Sequence, residues 1–187
     1  MARSLLMDPH VDDESHRELV ATWIRKGRKM NEQILSWREN DEITERDLRM
    51  PESARVWIAD DDEDIRSLVS SALLLDGYDV VETKDGRETM QRMRQALEAP
   101  LQLPDLIVMD VLMPHYSGLR ILYELRQAQW NTPVIMMTGL PHEAVLERAM
   151  ELGAIAVLTK PFRVDDLRTA VLKASRSVGH TRSTEIN

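Results

Sequence analysis

The chain has 187 residues, 43% apolar and 30% charged, which is enough apolar material for a sizeable core. A net charge of −8 argues against a protein whose main role is to neutralise nucleic-acid phosphate, and the absence of cysteine excludes disulfide frameworks, thiolate metal sites and cysteine nucleophiles. The sequence has no signal peptide and no run of about 18 apolar residues, and this predicts a soluble, cytoplasmic protein without membrane contact.

Residues 1–53 are predicted to form a helical N-terminal extension and linker. A basic cluster at 25–29 is flanked by acidic residues, which favours a solvated helix face over a nucleic-acid contact. Two interpretations of the extension stay open: a homodimer or partner surface within residues 15–50, or an extra helix packed on the following domain. Apolar residues recur every seven positions, as in the seam of a coiled coil: Val20, Gly27 and Ile34, with Trp23, Met30 and Trp37.

From residue 54 the pattern alternates between short apolar runs and amphipathic stretches. This alternation predicts a doubly wound, parallel α/β sheet over residues 54–176, followed by a flexible tail at 177–187. The predicted strands are Val56–Ala59, Asp79–Glu82, Leu106–Met109, Val134–Met137 and Ile155–Leu158. The predicted helices are Ile65–Leu75, Arg87–Leu97, Leu119–Gln127, Glu143–Leu152 and Asp165–Ala174.

Polar residues follow four of the five predicted strands. Asp60 and Asp61 come directly after the first strand, and Asp110 follows the third. Thr138 follows the fourth strand and Lys160 the fifth. In an open parallel sheet, ligands bind outside the carboxyl ends of the strands, so these five side chains are expected to converge on one crevice.

The residue types in this set suit phosphoryl transfer. Three neighbouring carboxylates repel one another unless a cation lies among them, and Mg²⁺ prefers oxygen ligands of this kind. A carboxylate screened in this way can attack phosphorus and become an acyl phosphate. A lysine ammonium and a threonine hydroxyl can stabilise the charge on the transferred group.

Five sequence motifs resemble the response-regulator receiver family (CheY-like), in the order found in that family, over roughly residues 54–176. The resemblance implies a flavodoxin-like (βα)₅ fold with strand order 2-1-3-4-5. The motifs are Ile58–Glu63, Leu106–Pro114, Ser117–Leu119, Pro133–Gly139 and Leu158–Phe162.

The resemblance also implies a role for each acidic residue of the site. Asp110 would be the phospho-accepting nucleophile. Asp61 and Asp110 would bind Mg²⁺ directly, Asp60 would act through a coordinated water, and the backbone carbonyl of Leu112 would add a ligand. Asp62, by contrast, is interpreted with the next two acidic residues as part of a helix N-terminus.

Two further residues have implied roles, and three positions depart from the family pattern. Lys160 would pair with the phosphoryl group, its bond to Pro161 would be cis, and Thr138 would move toward the phosphoryl group on activation. Val157 stands where the family often has an aromatic switch residue, which argues against the usual aromatic readout. Two leucines, at positions 112 and 140, are placed to obstruct an attacking water, which predicts a long-lived phosphoryl group.

The predicted function is a phosphorylation-dependent switch of a two-component system. A histidine kinase or phosphotransfer protein would donate the phosphoryl group, and the protein would be no enzyme beyond self-phosphorylation and slow autodephosphorylation. The chain ends soon after its last predicted helix, so output is expected through an unknown partner, on the fourth and fifth helices, or through the N-terminal helices. Two alternatives remain: N-terminal helices that dimerise and contact DNA as a transcription-associated output, or a phosphorylation-independent scaffold.

Overall fold

The computed structural model describes residues 54–96 and 103–183, with side chains as far as residue 174. The seven-residue seam and the proposed dimer surface at 15–50 lie outside the described residues, and the division at residues 53 and 176 stays a prediction. Five strands alternate with five helices: β1 (Arg55–Ala59), α1 (Glu63–Leu75), β2 (Asp79–Thr83), α2 (Gly86–Ala96), β3 (Leu106–Asp110), α3 (Gly118–Gln127), β4 (Val134–Thr138), α4 (Glu143–Glu151), β5 (Ala156–Thr159) and α5 (Val164–Ser183).

The five strands form one parallel sheet in the order β2-β1-β3-β4-β5. This order confirms the predicted doubly wound fold. The chain runs outward from β1 to β2 and then returns to place β3 on the other side of β1. Strand order therefore reverses between β1 and β3, and a crevice forms at their carboxyl ends.

Two apolar layers cover the sheet because successive side chains of a strand point to opposite faces. Val56 and Ile58 of β1 pack with α1 and α5, whereas Trp57 and Ala59 pack with α2, α3 and α4. β3 and β4 are buried along their whole length, as expected for strands that are covered on both faces. The sheet is thus a rigid base for the loops at its carboxyl edge.

The elements differ from their predicted bounds by one or two residues at one or both ends, and only the end of α5 differs by more. β5 begins one residue later than predicted, since Ile155 is exposed and the strand starts at Ala156. α5 continues to Ser183 rather than ending at Ala174. Within the described ranges, no helix has both the length and the apolar character needed to cross a membrane.

Candidate functional site

The carboxyl edge of the sheet collects the polar residues that follow the strands. Asp110 is the last residue of β3 and Thr138 the last of β4, while Asp60 and Lys160 directly follow β1 and β5. Asp60 is held beside β2 as well, because its backbone N–H donates to the Thr83 carbonyl at 3.2 Å. Parallel strands in register bring residues from distant parts of the sequence to one edge.

Three carboxylates of this edge form a tight cluster. Asp60, Asp61 and Asp110 each place one carboxylate oxygen within 4.8 Å of the others. Asp60 and Asp110 are buried, whereas Asp61 is exposed at the mouth. A set of hard oxygen donors with one open side suits Mg²⁺, which keeps several of its waters. The donors present therefore fit the ion that the sequence predicted.

Lys160 connects two of these carboxylates. Its Nζ donates to Asp60 Oδ2 at 2.7 Å and to Asp110 Oδ2 at 2.9 Å. The partners are 100 and 50 residues away in the chain, and the lysine side chain is only 15% exposed. Such short hydrogen bonds between charged groups are the strong kind. The lysine thus sets the positions of both carboxylates.

Burial dominates the electrostatics of this cluster. It raises the pKa of Asp60 and of Asp110, and the hydrogen bonds and charge of Lys160 offset only part of that increase. For Lys160, burial alone would lower the pKa, but the hydrogen bonds and negative charges of the two carboxylates together outweigh burial and raise the pKa. The lysine is therefore cationic, and one cation is shared by more than one buried carboxylate. This arrangement attracts a second cation.

The loop after β1 orients Asp60. The backbone N–H of Asp62 donates to Asp60 Oδ1 at 3.0 Å, and Arg66 Nη1 donates to the Asp60 carbonyl at 2.8 Å. Asp62 also caps α1, since its side chain accepts from the backbone N–H groups of Asp64 and Ile65. Sequence reasoning did not find Arg66. The sequence signal for it is a basic residue in the first turns of the helix, two positions after a run of five acidic residues.

The loop after β3 folds closely back on Asp110. The backbone N–H of Leu112 lies 3.4 Å from Asp110 Oδ1, and the N–H of Gly118 donates to the Val111 carbonyl at 2.9 Å. A Cβ on Gly118 would lie 2.0 Å from the Asp110 carbonyl oxygen, so only glycine fits there. This close approach holds the backbone of Asp110 at the start of α3.

Thr138 is buried at the edge of the cluster, with its hydroxyl engaged elsewhere. The hydroxyl donates to the Leu140 carbonyl at 3.2 Å and accepts from the Leu140 N–H at 3.0 Å. The bond between Lys160 and Pro161 is cis, as the resemblance implied. Val157 is half-buried in β5 and packs against the α2–α3–α4 face of the sheet. The structure thus brings Asp60, Asp61, Asp110 and Lys160 together and engages the Thr138 hydroxyl with the next loop.

A family model for the response regulator receiver domain matches residues 56–172. The chain belongs to this family. Receiver domains are the signalling switches of two-component systems rather than typical enzymes, and aspartate phosphorylation and Mg²⁺ are typical of them. The predicted phosphorylation-dependent switch is thereby confirmed at the level of the family, and neither the DNA-contacting nor the scaffold alternative is favoured.

Individual response regulators are about one third identical to this chain over the aligned residues. The alkaline phosphatase synthesis regulator PhoP of Bacillus subtilis is 33% identical over 117 residues, which is 63% of this chain and 46% of PhoP. The transcriptional regulator PdtaR of Mycobacterium tuberculosis is 35% identical over 129 residues, which is 68% of this chain and 58% of PdtaR. The chain thus spans about half the length of these relatives.

Solved receiver structures have the same fold. The receiver domain of the Francisella response regulator 1452 is 28% identical with a TM-score of 0.60, over 67% of this chain and 99% of that one. The chemotaxis response regulator CheY4 of Vibrio cholerae is 30% identical with a TM-score of 0.57, over 65% of this chain and 98% of that one. The similarity therefore extends over almost the whole of each solved receiver.

Proposed function

We propose that this receiver accepts a phosphoryl group on Asp110 with the help of Mg²⁺. Asp61 and Asp110 would hold the ion directly, Asp60 would act through a coordinated water, and the carbonyl of Leu112 would complete the protein ligands. The proposal rests mainly on the three carboxylate oxygens that lie within 4.8 Å of one another. Mg²⁺, when bound, supplies positive charge beside the incoming phosphoryl group.

The residues around Asp110 have complementary roles in this transfer. A carboxylate oxygen of Asp110 forms the new bond to phosphorus while the bond to the donor's leaving group breaks, and the leaving group keeps that electron pair. Lys160, already 2.9 Å from Asp110, would pair with the phosphoryl oxygens. Thr138 would exchange its hydrogen bonds with Leu140 for one to the phosphoryl group. The exchange would move the loop after β4.

The donor in the cell would be a histidine kinase or phosphotransfer protein, and the readout would be a changed protein-binding surface on α4 and α5. A cytoplasmic location goes with this role. The domain would also phosphorylate itself from a small acyl phosphate and hydrolyse the phosphoaspartate slowly. Both reactions use the site described above and need no further residues.

Intact-mass measurement after incubation with a small acyl phosphate and Mg²⁺ tests the proposal. The unsubstituted protein is expected to gain the mass of one phosphoryl group, and Asp110→Asn to gain none. Asp64→Asn is the matched control, because Asp64 is exposed in the first turn of α1 and is not part of the carboxylate cluster. Absence of modification in the unsubstituted protein, or its persistence in Asp110→Asn, would overturn the proposal.

The metal requirement is a separate part of the same experiment. Chelation of Mg²⁺ is expected to abolish the modification, and Asp61→Asn to raise the Mg²⁺ concentration that it requires at least about tenfold. An unchanged Mg²⁺ dependence in Asp61→Asn would remove Asp61 from the ligand set. Asp64→Asn again serves as the control, because it removes a neighbouring charge without removing a ligand.

A further inference from the structure

Adjacent faces of α1 and α5 expose three leucines. Leu68 is 45% exposed, Leu75 83% and Leu172 49%. Leu68 and Leu75 are seven residues apart and therefore share one side of α1. Asp76 follows Leu75 and pairs with Arg168 of α5 at 2.7 Å, and Leu172 lies one turn beyond Arg168 on the same side of α5. Leu75 and Leu172 therefore flank this ion pair, and Leu68 lies two turns before Leu75 on the same side of α1. These three leucines are called here the α1–α5 patch.

The N-terminal extension joins the domain beside this patch. The carbonyl of Ala54, the first residue after the extension, accepts the N–H of Asp79 at 3.0 Å. Asp79 lies only four residues after Leu75, so the extension joins at the end of the sheet where α1 ends. Sixteen residues separate Trp37 from Ala54. They reach about 50 Å when extended, against about 20 Å for the length of α1.

We propose that residues 20–37 of the same chain cover the α1–α5 patch as an additional helix. The extension carries an apolar stripe at Trp23, Met30 and Trp37, with a spacing of seven residues. Leu68 and Leu75 repeat that spacing on α1, so the two stripes match when the helices lie alongside each other. Packing of the two apolar stripes against each other removes both from water. Removal of apolar surface from water is the dominant favourable contribution to the free energy of such contacts.

Charge complementarity sets the direction of the added helix. With Trp37 beside Leu75, near the linker, a helix parallel to α1 brings the basic cluster at 25–29 to the start of α1. The first turn of α1 is acidic there, with exposed Glu63 and Asp64. Opposite charges thus meet at one end and apolar residues at the other.

The tether favours this intramolecular contact over a contact with a second copy. A segment tethered to its binding surface by a linker of this length has an effective concentration of the order of millimolar, well above that of a separate chain in dilute solution. The tether therefore favours coverage of the α1–α5 patch by the extension of the same chain. A second copy would have to bind with considerably higher intrinsic affinity to displace it.

The four tryptophans and the absence of cysteine allow a direct test in the full chain. A nitroxide label on Ser71→Cys, exposed beside the patch on α1, broadens the indole N–H signals of nearby tryptophans in an NMR spectrum. The same label on Glu147→Cys, exposed on α4 across the sheet, is the matched control. Trp23→Phe and Trp37→Phe assign the two relevant signals.

The signals of Trp23 and Trp37 are expected to lose most of their intensity with the label at position 71 and to keep it with the label at 147. Leu75→Glu is expected to restore the intensity, while unchanged signals from buried Trp57 and Trp130 show that the domain is still folded. Equal intensities with the two labels would overturn the proposal. A second experiment mixes isotope-labelled protein that has no cysteine with spin-labelled protein that has no isotope label, so that only contacts between two copies broaden the signals. Broadening equal to that within one chain would assign the patch to a second copy and would also overturn the proposal.

Discussion

Lys160 Nζ lies 2.9 Å from Asp110 Oδ2, and this one contact joins the end of β5 to the end of β3. Neither group is well placed without the other. Burial of a charged carboxylate without a cation beside it costs a large desolvation free energy. An ammonium group between two carboxylates keeps its positive charge and offsets that cost. The same contact would place the lysine against an incoming phosphoryl group. Stability and the proposed chemistry therefore share this residue.

Lys160→Met is expected to destabilise the domain by about 3 kcal/mol, which is at the lower end of the range for a broken buried ion pair. The loss is at the lower end because protonation of one carboxyl group relieves part of the free-energy cost of the unpaired buried charge. Urea unfolding measures the effect. Lys84→Met is the control, since Lys84 is exposed in the loop between β2 and α2, and a change within about 0.5 kcal/mol is expected there. Excess Mg²⁺ is expected to stabilise Lys160→Met more than the unsubstituted protein. Equal losses in both variants would contradict this account.

The stability of Lys160→Met is also expected to increase as the pH is lowered from 7 toward 5. Burial raises the pKa of Asp60 and Asp110 in the folded domain, and loss of the lysine raises it further. The folded state then binds a proton that the unfolded chain does not, so the free energy of unfolding falls as pH rises through this window. Unfolding curves at several pH values measure this slope. A slope of the opposite sign would show that the carboxyls are not the groups responsible.

Gly118→Ala is expected to cost about 2–3 kcal/mol and to impair phosphorylation of Asp110. The added Cβ would lie 2.0 Å from the Asp110 carbonyl oxygen, so the β3 end must shift. Gly139→Ala is the matched control because its Cβ meets nothing within 4 Å, and a gain of up to about 1 kcal/mol is expected there. Thermal unfolding together with the intact-mass assay tests both variants. If Gly118→Ala is as stable and as readily modified as Gly139→Ala, the close approach has no role.

The phosphoaspartate is predicted to persist for minutes or longer. Leu112 and Leu140 are partly exposed, and each follows a site residue by two positions. Leu112→Asn combined with Leu140→Gln is expected to shorten the lifetime about tenfold, or about 1.4 kcal/mol in the barrier, by admitting an attacking water. Leu74→Gln, on a distant exposed leucine, should change nothing. A half-life of seconds in the unsubstituted protein would refute this prediction.

Arg126→Met is expected to destabilise the domain by about 2–3 kcal/mol. The guanidinium of Arg126 donates to the carbonyls of Trp130 at 2.7 Å, Thr132 at 3.2 Å and Gly153 at 3.0 Å, and so joins the ends of α3 and α4 to the start of β4. Arg148→Met, which breaks an ion pair on α4, should cost less than about 1 kcal/mol. Denaturant midpoints compare the two, and a similar loss in both would show that the three carbonyls are satisfied by water.

Much of the site follows from the local pattern. Asp110 follows a run of four buried apolar residues, and its position at the carboxyl edge needs only the assumption of a parallel sheet. Arg66 is different, because its guanidinium reaches the Asp60 carbonyl only once α1 has packed beside β1. The hydroxyl of Thr138 is a similar case, since the geometry of the next loop decides that it bonds to Leu140. No periodic pattern and no motif in the sequence predicts either contact.

The sequence by itself determined which segments become strands and helices, and which residues stand at the strand ends, because burial of apolar side chains imposes a period that can be read along the chain. The tertiary structure alone decided the contacts and the exposure of side chains. Lys160 bonds to both Asp60 and Asp110, Gly118 lies against the Asp110 backbone, and the three leucines of the α1–α5 patch are left exposed. These depend on how separate elements pack against one another. Packing is a property of pairs of residues distant in sequence, which a local pattern does not record.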